Sequence, residues 1–281
     1  MRCLFCFGFG YCAQRLAQSL PKNEWQVIGT KRKESNETIL INFDGSKSIA
    51  DTDLFKGTTH LLISIPPGVH GDPVLKVYGS ELAALKRLEW IGYLSSTSVY
   101  GDSGGHWIAE DFPPNPSTER GLNRLLAEDQ WFAFGENTGV SVQVFRLAGI
   151  YGPGRSVFDR LRYGTAKRID LPDAITNRIF IDDIVQVLYA SIQNPGRGSL
   201  YNAADDEPAN PAEVIEYACR LIGLSPPPLV SLENAGLSEL GRSFYLESRR
   251  VSNKRIKNEL KIILQYPTYR EGLGKIFNSE Q

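Results

Sequence analysis

Histidine, cysteine and methionine are scarce in this sequence, at three, four and one among 281 residues. The histidines, His60, His70 and His106, have no recurrent metal-ligand spacing, so no metal is expected. Cys3, Cys6, Cys12 and Cys219 are too few for a disulfide framework in a chain this long, and Cys3-x-x-Cys6 lies within an apolar run rather than at a helix start. They read as reduced core residues, with a redox pair or a zinc site as the alternative. No uninterrupted apolar run reaches the roughly 18 residues of a spanning helix, and Arg2 is followed so closely by a glycine-rich turn that no signal peptide is expected. The expectation is a cytoplasmic protein with no membrane partner. Neither charge dominates: 31 Lys and Arg against 32 Asp and Glu leave a formal net charge of −1, without the long basic face that nucleic acid requires.

What is present fits a soluble enzyme. With 42% hydrophobic residues the chain can bury a large core, as one large domain or two interleaved ones. The strongest local signal is Phe7-Gly8-Phe9-Gly10-Tyr11-Cys12-Ala13, which follows the apolar run 3–6 and opens a helix-like segment over 14–20. Gly8 permits a tight strand-to-helix turn, Gly10 lets backbone approach a pyrophosphate, and Ala13 allows close packing of helix on strand. The helix N-terminus then offers free N–H groups to the anion. The plain alternative is a tight turn with no ligand.

Enzymes that prefer NAD carry an acidic residue on the ribose hydroxyls about 20 residues after the glycine turn. Here the second strand, 25–29, runs instead into Thr30-Lys31-Arg32-Lys33. A hydroxyl and three cations suit a 2′-phosphate, so NADP is preferred over NAD; the competing reading is a solvated basic loop.

Strand-like and helix-like segments then alternate, the pattern of a parallel sheet covered by helices. Strands are expected at 38–43, 60–65, 90–94 and 140–147, and helices at 73–87 and 118–134. Ligands of such sheets bind outside the carboxyl ends of the strands, which places Asp44, Ser64-Ile65-Pro66, Ser95-Ser96, and Leu147, Gly149 and Ile150 near a cofactor. Pro226-Pro227-Pro228 is a short stiff spacer.

Ser95-Ser-Thr-Ser-Val-Tyr-Gly-Asp102, Arg146-Leu-Ala-Gly-Ile-Tyr-Gly-Pro-Gly-Arg155, Arg178-Ile-Phe-Ile-Asp-Asp-Ile184, Tyr201-Asn-Ala203 and Tyr266-Pro-Thr-Tyr-Arg-Glu-Gly-Leu273 occur in that order. Together with the glycine turn they resemble the extended short-chain dehydrogenase/reductase superfamily, in particular its NAD-dependent epimerase/dehydratase branch. The resemblance implies an α/β fold: a Rossmann doubly wound parallel sheet over 1–152, completed by about 176–203, with a smaller substrate domain from 153–175 and 204–281. It also implies hydride transfer at a carbinol carbon of a small molecule, commonly a nucleotide sugar. Dimers are common in the family, and a homodimer would form through the helices bearing Val77 to Leu88 and Leu122 to Phe132.

The same resemblance implies a catalytic Ser or Thr with a Tyr-x-x-x-Lys pair. The Ser falls on Ser96. The pair does not survive: anchoring on Leu125-Leu126-Ala127-Glu128 puts Arg124 at the Lys and Arg120 at the Tyr. Arg will not release a proton near neutrality, and a positioned acid/base contributes roughly 10²–10⁴-fold in rate. Arg124 can still bind ribose or phosphate, while Arg120 supplies a positive charge suited to a carboxylate, a phosphate or a developing oxyanion. Alternatively both simply solvate a helix face. Tyr100 and Tyr151 lie at strand ends flanking the nicotinamide side, either as proton donors or as packing aromatics, and Tyr93 is expected in the sheet. His106 is either a lid residue or merely exposed, and Asp182 and Asp183 are expected to brace a helix. Asp44 is expected at the adenine, or else in an ordinary turn. For substrate, Tyr151, Arg155, Arg178, Arg249 and Arg250 are candidates, Arg matching phosphate geometry; Arg242 and Lys254 belong to the same group, which could instead pair with Glu239 and Glu247. Two classes stay open: an NADP-dependent oxidoreductase, epimerase or dehydratase with an altered site, and a non-catalytic NAD(P)-binding regulatory or scaffold protein.

Overall fold

The computed structural model describes residues 1–32, 40–46, 49, 55–196 and 199–280. Lys33 of the basic run and the start of the expected 38–43 strand lie outside the described residues.

Seven strands form one parallel sheet: β1 (Arg2–Phe7), β2 (Trp25–Lys31), β3 (Leu40–Asn42), β4 (His60–Ile63), β5 (Trp90–Ser96), β7 (Ser141–Leu147) and β11 (Ser199–Ala203). Their order, β11-β7-β5-β4-β1-β2-β3, reverses direction at β1, so a crevice opens between the carboxyl ends of β1 and β4. Three two-stranded parallel pairs lie outside this sheet: β6 (Trp107–Ile108) with β13 (Arg250–Val251), β8 (Gly149–Tyr151) with β10 (Arg178–Phe180), and β9 (Arg168–Ile169) with β12 (Leu229–Val230).

Both faces of the sheet are buried, and β1 shows why. Leu4 and Cys6 alternate with Phe5 and Phe7, feeding two separate cores on opposite faces. The first core packs α1 (Tyr11–Ser19) and α5 (Ile181–Gln193), the second α2 (Pro73–Ala83) and α3 (Glu119–Thr138). The cap chemistry sets the helix ends. Thr118 accepts the Gly121 N–H at 3.1 Å to start α3, and Gly139 at φ 75° ends it. Asp72 accepts the Val74 N–H at 2.8 Å at the start of α2, with Pro73 in its first turn. The helix expected over 73–87 stops at Ala83, because the chain unwinds through short i→i+3 bonds to turn Leu88 into the core.

Helices α4 (Val157–Arg162), α6 (Pro211–Leu221), α7 (Glu239–Ser243), α8 (Lys254–Glu259) and α9 (Tyr269–Ser279) complete the chain. Asp183 in the first turn of α5 is buried and accepts the N–H groups of Gln265 and Tyr266 at 2.7 and 3.1 Å, holding the late Tyr266-Pro267 loop against the Rossmann body. All four cysteines are buried and free, and burial pushes the Cys12 thiol up to about 11. No helix among the described residues is long and apolar enough to cross a membrane.

Candidate active site

The glycine turn sits at the carboxyl end of β1, beside the point where the strand order reverses. Gly8 adopts φ +91°, and a Cβ there would come within 2.7 Å of Ser64 Oγ and 3.2 Å of the Ile65 N. Ser64 Oγ donates to the Gly8 carbonyl at 2.5 Å, so β1 and β4 are stitched together at the crevice floor, with Ile65 half-buried and Pro66 exposed beyond. Gly10 differs: a Cβ there would meet nothing within 4 Å. Gly10 also caps α1, and no side chain satisfies that helix end. Cys12 and Ala13 are buried beneath the first turn, so the space over Gly10 borders bare backbone donors.

Tyr11 spans the crevice. Its hydroxyl donates to the Pro153 carbonyl at 3.0 Å, and its ring lies under the guanidinium groups of Arg15 and Arg155 at 5.9 and 6.0 Å. The Gly-Pro-Gly loop after β8 is thereby fixed to the start of α1. Leu147 is buried at the end of β7, Gly149 is exposed, and Ile150 is half-buried.

The basic segment differs from its reading in one respect. Thr30 is 1% exposed, and its hydroxyl accepts the Gly8 N–H at 2.9 Å while its carbonyl accepts the Phe9 N–H at 2.7 Å. Thr30 therefore holds the glycine turn from beneath and does not present its hydroxyl to solvent. Lys31 is half-buried at the end of β2 and Arg32 exposed after it. Asp44 accepts from the Ser46 N–H and hydroxyl at 2.8 and 2.7 Å, an Asx turn after β3.

At the end of β5, Ser96 is half-buried and its Oγ accepts the Ser98 N–H at 3.2 Å, capping the short 3₁₀ turn Thr97–Tyr100. Ser95 points the other way, donating to the Glu128 carboxylate. Glu128 and Arg146, 1% and 3% exposed, pair at 2.7 Å, and the Arg146 guanidinium lies 4.5 Å over the Tyr100 ring. Tyr100 is itself fully buried, and its hydroxyl donates to Asn202 Oδ1 at 2.8 Å. Burial pushes its pKa up, more than the neighbouring Arg146 lowers it. A catalytic place for Tyr100 is thus at odds with its enclosure: the 3₁₀ turn swings the ring into the core. The Glu128 and Arg146 pair had a signal in the sequence, since a charge inside the apolar strand 140–147 demands a buried partner.

Arg124, expected from the resemblance at the place of a Lys, donates from Nη1 to the Leu94 carbonyl at 2.7 Å, and its Nε is enclosed without a hydrogen-bond partner. Arg120, one turn earlier on the same face of α3, stacks its guanidinium 5.7 Å from the Phe244 ring. Although solvent reaches it, Arg120 is held below its usual pKa, first by partial burial and then by the charges of Arg124 and Arg155. Tyr151 is enclosed, donates to the Thr268 carbonyl at 3.3 Å, and burial raises its pKa.

The other candidate substrate arginines are committed to the protein. Arg178 donates to the Thr176 hydroxyl and carbonyl at 2.8 and 3.1 Å, on the backbone turn before β10. Arg249 pairs with Glu247 at 2.7 Å and donates to the Gly101 carbonyl; Arg250 donates to the Gly105 carbonyl. Arg242 donates to the Glu233 carbonyl at 3.2 Å. Of the five named candidates, only Arg155 keeps its cationic head open at the crevice. His106 is exposed in the loop before β6, and Tyr93 is fully buried in β5.

Comparison with known proteins agrees with this architecture. Residues 81–204 match the model of the NAD dependent epimerase/dehydratase family. The Escherichia coli K12 protein YeeZ is 30% identical, over 92% of this chain and 94% of its own. A structure described as a functionally unknown conserved protein from Silicibacter pomeroyi is 42% identical, covers 99% of each chain and superimposes with a TM-score of 0.91. MoeE5, solved in complex with UDP-glucose and NAD, shares the fold at 22% identity and a TM-score of 0.78, over 98% of this chain and 97% of that one. With the strand order, the glycine turn and a full-length relative in agreement, the chain belongs to the NAD-dependent epimerase/dehydratase family.

Proposed function

We propose that this protein is a nicotinamide-nucleotide-dependent enzyme of the oxidoreductase, epimerase or dehydratase type, acting on a sugar-like or nucleotide-linked small molecule. The observation that carries the reading is the open space over Gly10 against an uncapped helix N-terminus, at the crevice where the strand order reverses. Residues at that crevice fit a dinucleotide. Gly8, Gly10, Tyr11, Cys12 and Ala13 would hold the pyrophosphate, and Ser64, Ile65, Leu147, Gly149 and Ile150 would line its path. Lys31 and Arg32, with Thr30 beneath the turn, favour NADP over NAD. When bound, the nicotinamide supplies a hydride acceptor or donor.

The chain's own residues supply orientation and charge. Ser96 Oγ accepts one bond from Ser98 N, leaving its proton to donate to a substrate oxygen. Arg124 would bind ribose or phosphate where the family places Lys. Tyr100 and Tyr151 direct their hydroxyls into protein acceptors, so the proton that accompanies hydride transfer would come from solvent, directly or relayed through Ser96. Residues 153–175 and 204–281 would form the substrate side of the cleft. The exposed Leu122 and Leu126, on one face of α3, would lie in a homodimer contact. Four reduced, buried cysteines suit the cytoplasm.

A second reading, a non-catalytic nucleotide-binding protein, is favoured by one observation: at Arg120 and Arg124 the chain has no group that titrates near neutrality. The discriminating experiment incubates the protein with NADPH or NADP⁺ and a panel of nucleotide sugars and small carbonyl compounds, following nicotinamide absorbance and product identity. The enzyme reading expects turnover that Ser96→Ala lowers roughly 100-fold. No turnover on the whole panel, with nucleotide tightly bound, favours the second reading.

A further inference from the structure

We infer that Arg120, Arg124 and Arg155 form a recognition site for an oxyanionic group, a carboxylate or a phosphate, carried by the substrate close to its reacting carbon. The inference rests on the proposed nucleotide-dependent reading of the same crevice, and it adds what that reading leaves open, the chemical class of the substrate.

The first argument is charge without a partner. Among the described residues none of these three arginines forms an ion pair, whereas Arg146, Arg168, Arg249, Arg255 and Arg270 all do. Two buried carboxylates serve the fold behind α3: Glu128 is taken by Arg146, and Asp72 holds the N–H groups of Val74 and Leu75 with its Oδ1, its Oδ2 being enclosed without a hydrogen-bond partner. The cluster therefore carries a positive surplus that the fold does not cancel, and the three charges repel one another.

The second argument is how the guanidinium groups are held. Arg120 stacks on Phe244 and Arg155 on Tyr11, at 5.7 and 6.0 Å. Aromatic faces orient a guanidinium plane without neutralising it and leave its N–H edges free for a ligand. Arg124 is fixed by a bond from its Nη1 to the Leu94 carbonyl, two residues before Ser96.

The third argument is position. Arg120 lies in the first turn of α3, where the helix dipole disfavours a cation and favours an anion. Partial burial and the charges of Arg124 and Arg155 hold its pKa below the usual value. Mutual repulsion and the helix dipole thus oppose this cluster. An oxyanion bound among the three would remove the repulsion and satisfy the free donors, and it would sit beside Ser96, at the place where the family has its proton-transfer residue.

The test is isothermal titration of the full chain with inorganic phosphate and with malonate, each with and without saturating NADPH. Wild type is compared with Arg120→Gln, Arg155→Gln, the charge-keeping Arg120→Lys, and the surface control Arg270→Gln. We expect one or both oxyanions to bind the NADPH-saturated protein, roughly 10-fold or more weakly for each Arg replaced by Gln. Arg120→Lys should retain most of the affinity and Arg270→Gln all of it. Preference for phosphate points to a phosphate ester substrate, and preference for malonate to a carboxylate. The inference is overturned if neither anion binds, if Arg120→Gln and Arg155→Gln bind as wild type does, or if NADPH displaces the anion, which would make Arg120 and Arg155 nucleotide ligands as Arg124 is proposed to be. Failure of the underlying reading looks different: NADPH itself gives no binding signal, while arginine-dependent anion binding persists.

Discussion

Replacing Gly10 by Asp separates the ligand role of the first turn from its structural role. Gly10 caps α1 with φ −92° and ψ −161°, and a Cβ there touches nothing within 4 Å. Asp is a preferred N-cap and its charge complements the helix dipole, so Gly10→Asp should leave the fold unharmed or stabilise it by about 0.3–1 kcal/mol. The same carboxylate would stand where a pyrophosphate approaches. Two unit charges about 4 Å apart at an effective dielectric near 20 repel by about 4 kcal/mol, which corresponds to roughly a thousandfold loss of affinity. Gly8→Ala is the converse: at φ +91°, with Ser64 Oγ only 2.7 Å from the new methyl, it should cost the fold about 1–3 kcal/mol. The assays are urea denaturation and fluorescence titration with NADPH. Gly10→Asp protein that binds NADPH as wild type does, or that unfolds much more easily, would refute the reasoning.

Other expectations concern the groups around the crevice. Thr30→Val removes the acceptor of the Gly8 N–H and should cost about 1–3 kcal/mol, weakening NADPH and NADH by similar factors; a much larger loss for NADPH would show that Thr30 reads the 2′ position after all. Glu128→Ala strands the buried Arg146 and should destabilise by about 3–5 kcal/mol in denaturant melts, and a change below about 1 kcal/mol would dismiss the pair as a structural anchor. Buried His60, packed between Trp25 and Trp90, has its pKa pushed down from 6.5 to about 4, first by burial and then by Arg2. The unfolded chain then binds the extra proton between those values, so stability is full above pH 6.5 and falls as pH drops toward 4, by up to about 3 kcal/mol. His60→Asn should flatten that part of the stability profile, and an unchanged slope would remove His60 as its cause.

The sequence was most readable where backbone geometry restricts residue choice. Gly8 needs positive φ, Thr118 and Gly139 cap α3, and the unbroken apolar runs of β1, β4 and β5 announce strands buried on both faces. The order of motifs along the chain then gave the family and its crevice. Side-chain direction at the ends of strands was not readable in the same way. Thr30 and Lys31 are neighbours, yet alternation alone does not say that Thr30 turns inward to support Gly8. Tyr100 belongs to a motif that the resemblance assigns to the site, but the 3₁₀ turn after Ser96 folds its ring beneath Arg146. Arg249 could have met a diphosphate or Glu247, and only tertiary packing decides for Glu247. Arg155 and Tyr11 are far apart in sequence, so their contact across the crevice has no local signature.

The central claim is that the first turn holds a nicotinamide dinucleotide, with the phosphorylated form preferred. Its most direct test is a fluorescence titration of the purified protein with NADPH, with NADH and NADP⁺ as competitors. The account predicts tight NADPH binding that NADP⁺ displaces readily and NADH displaces poorly. Binding of neither reduced nucleotide would contradict it, and would turn the search from substrates to protein partners.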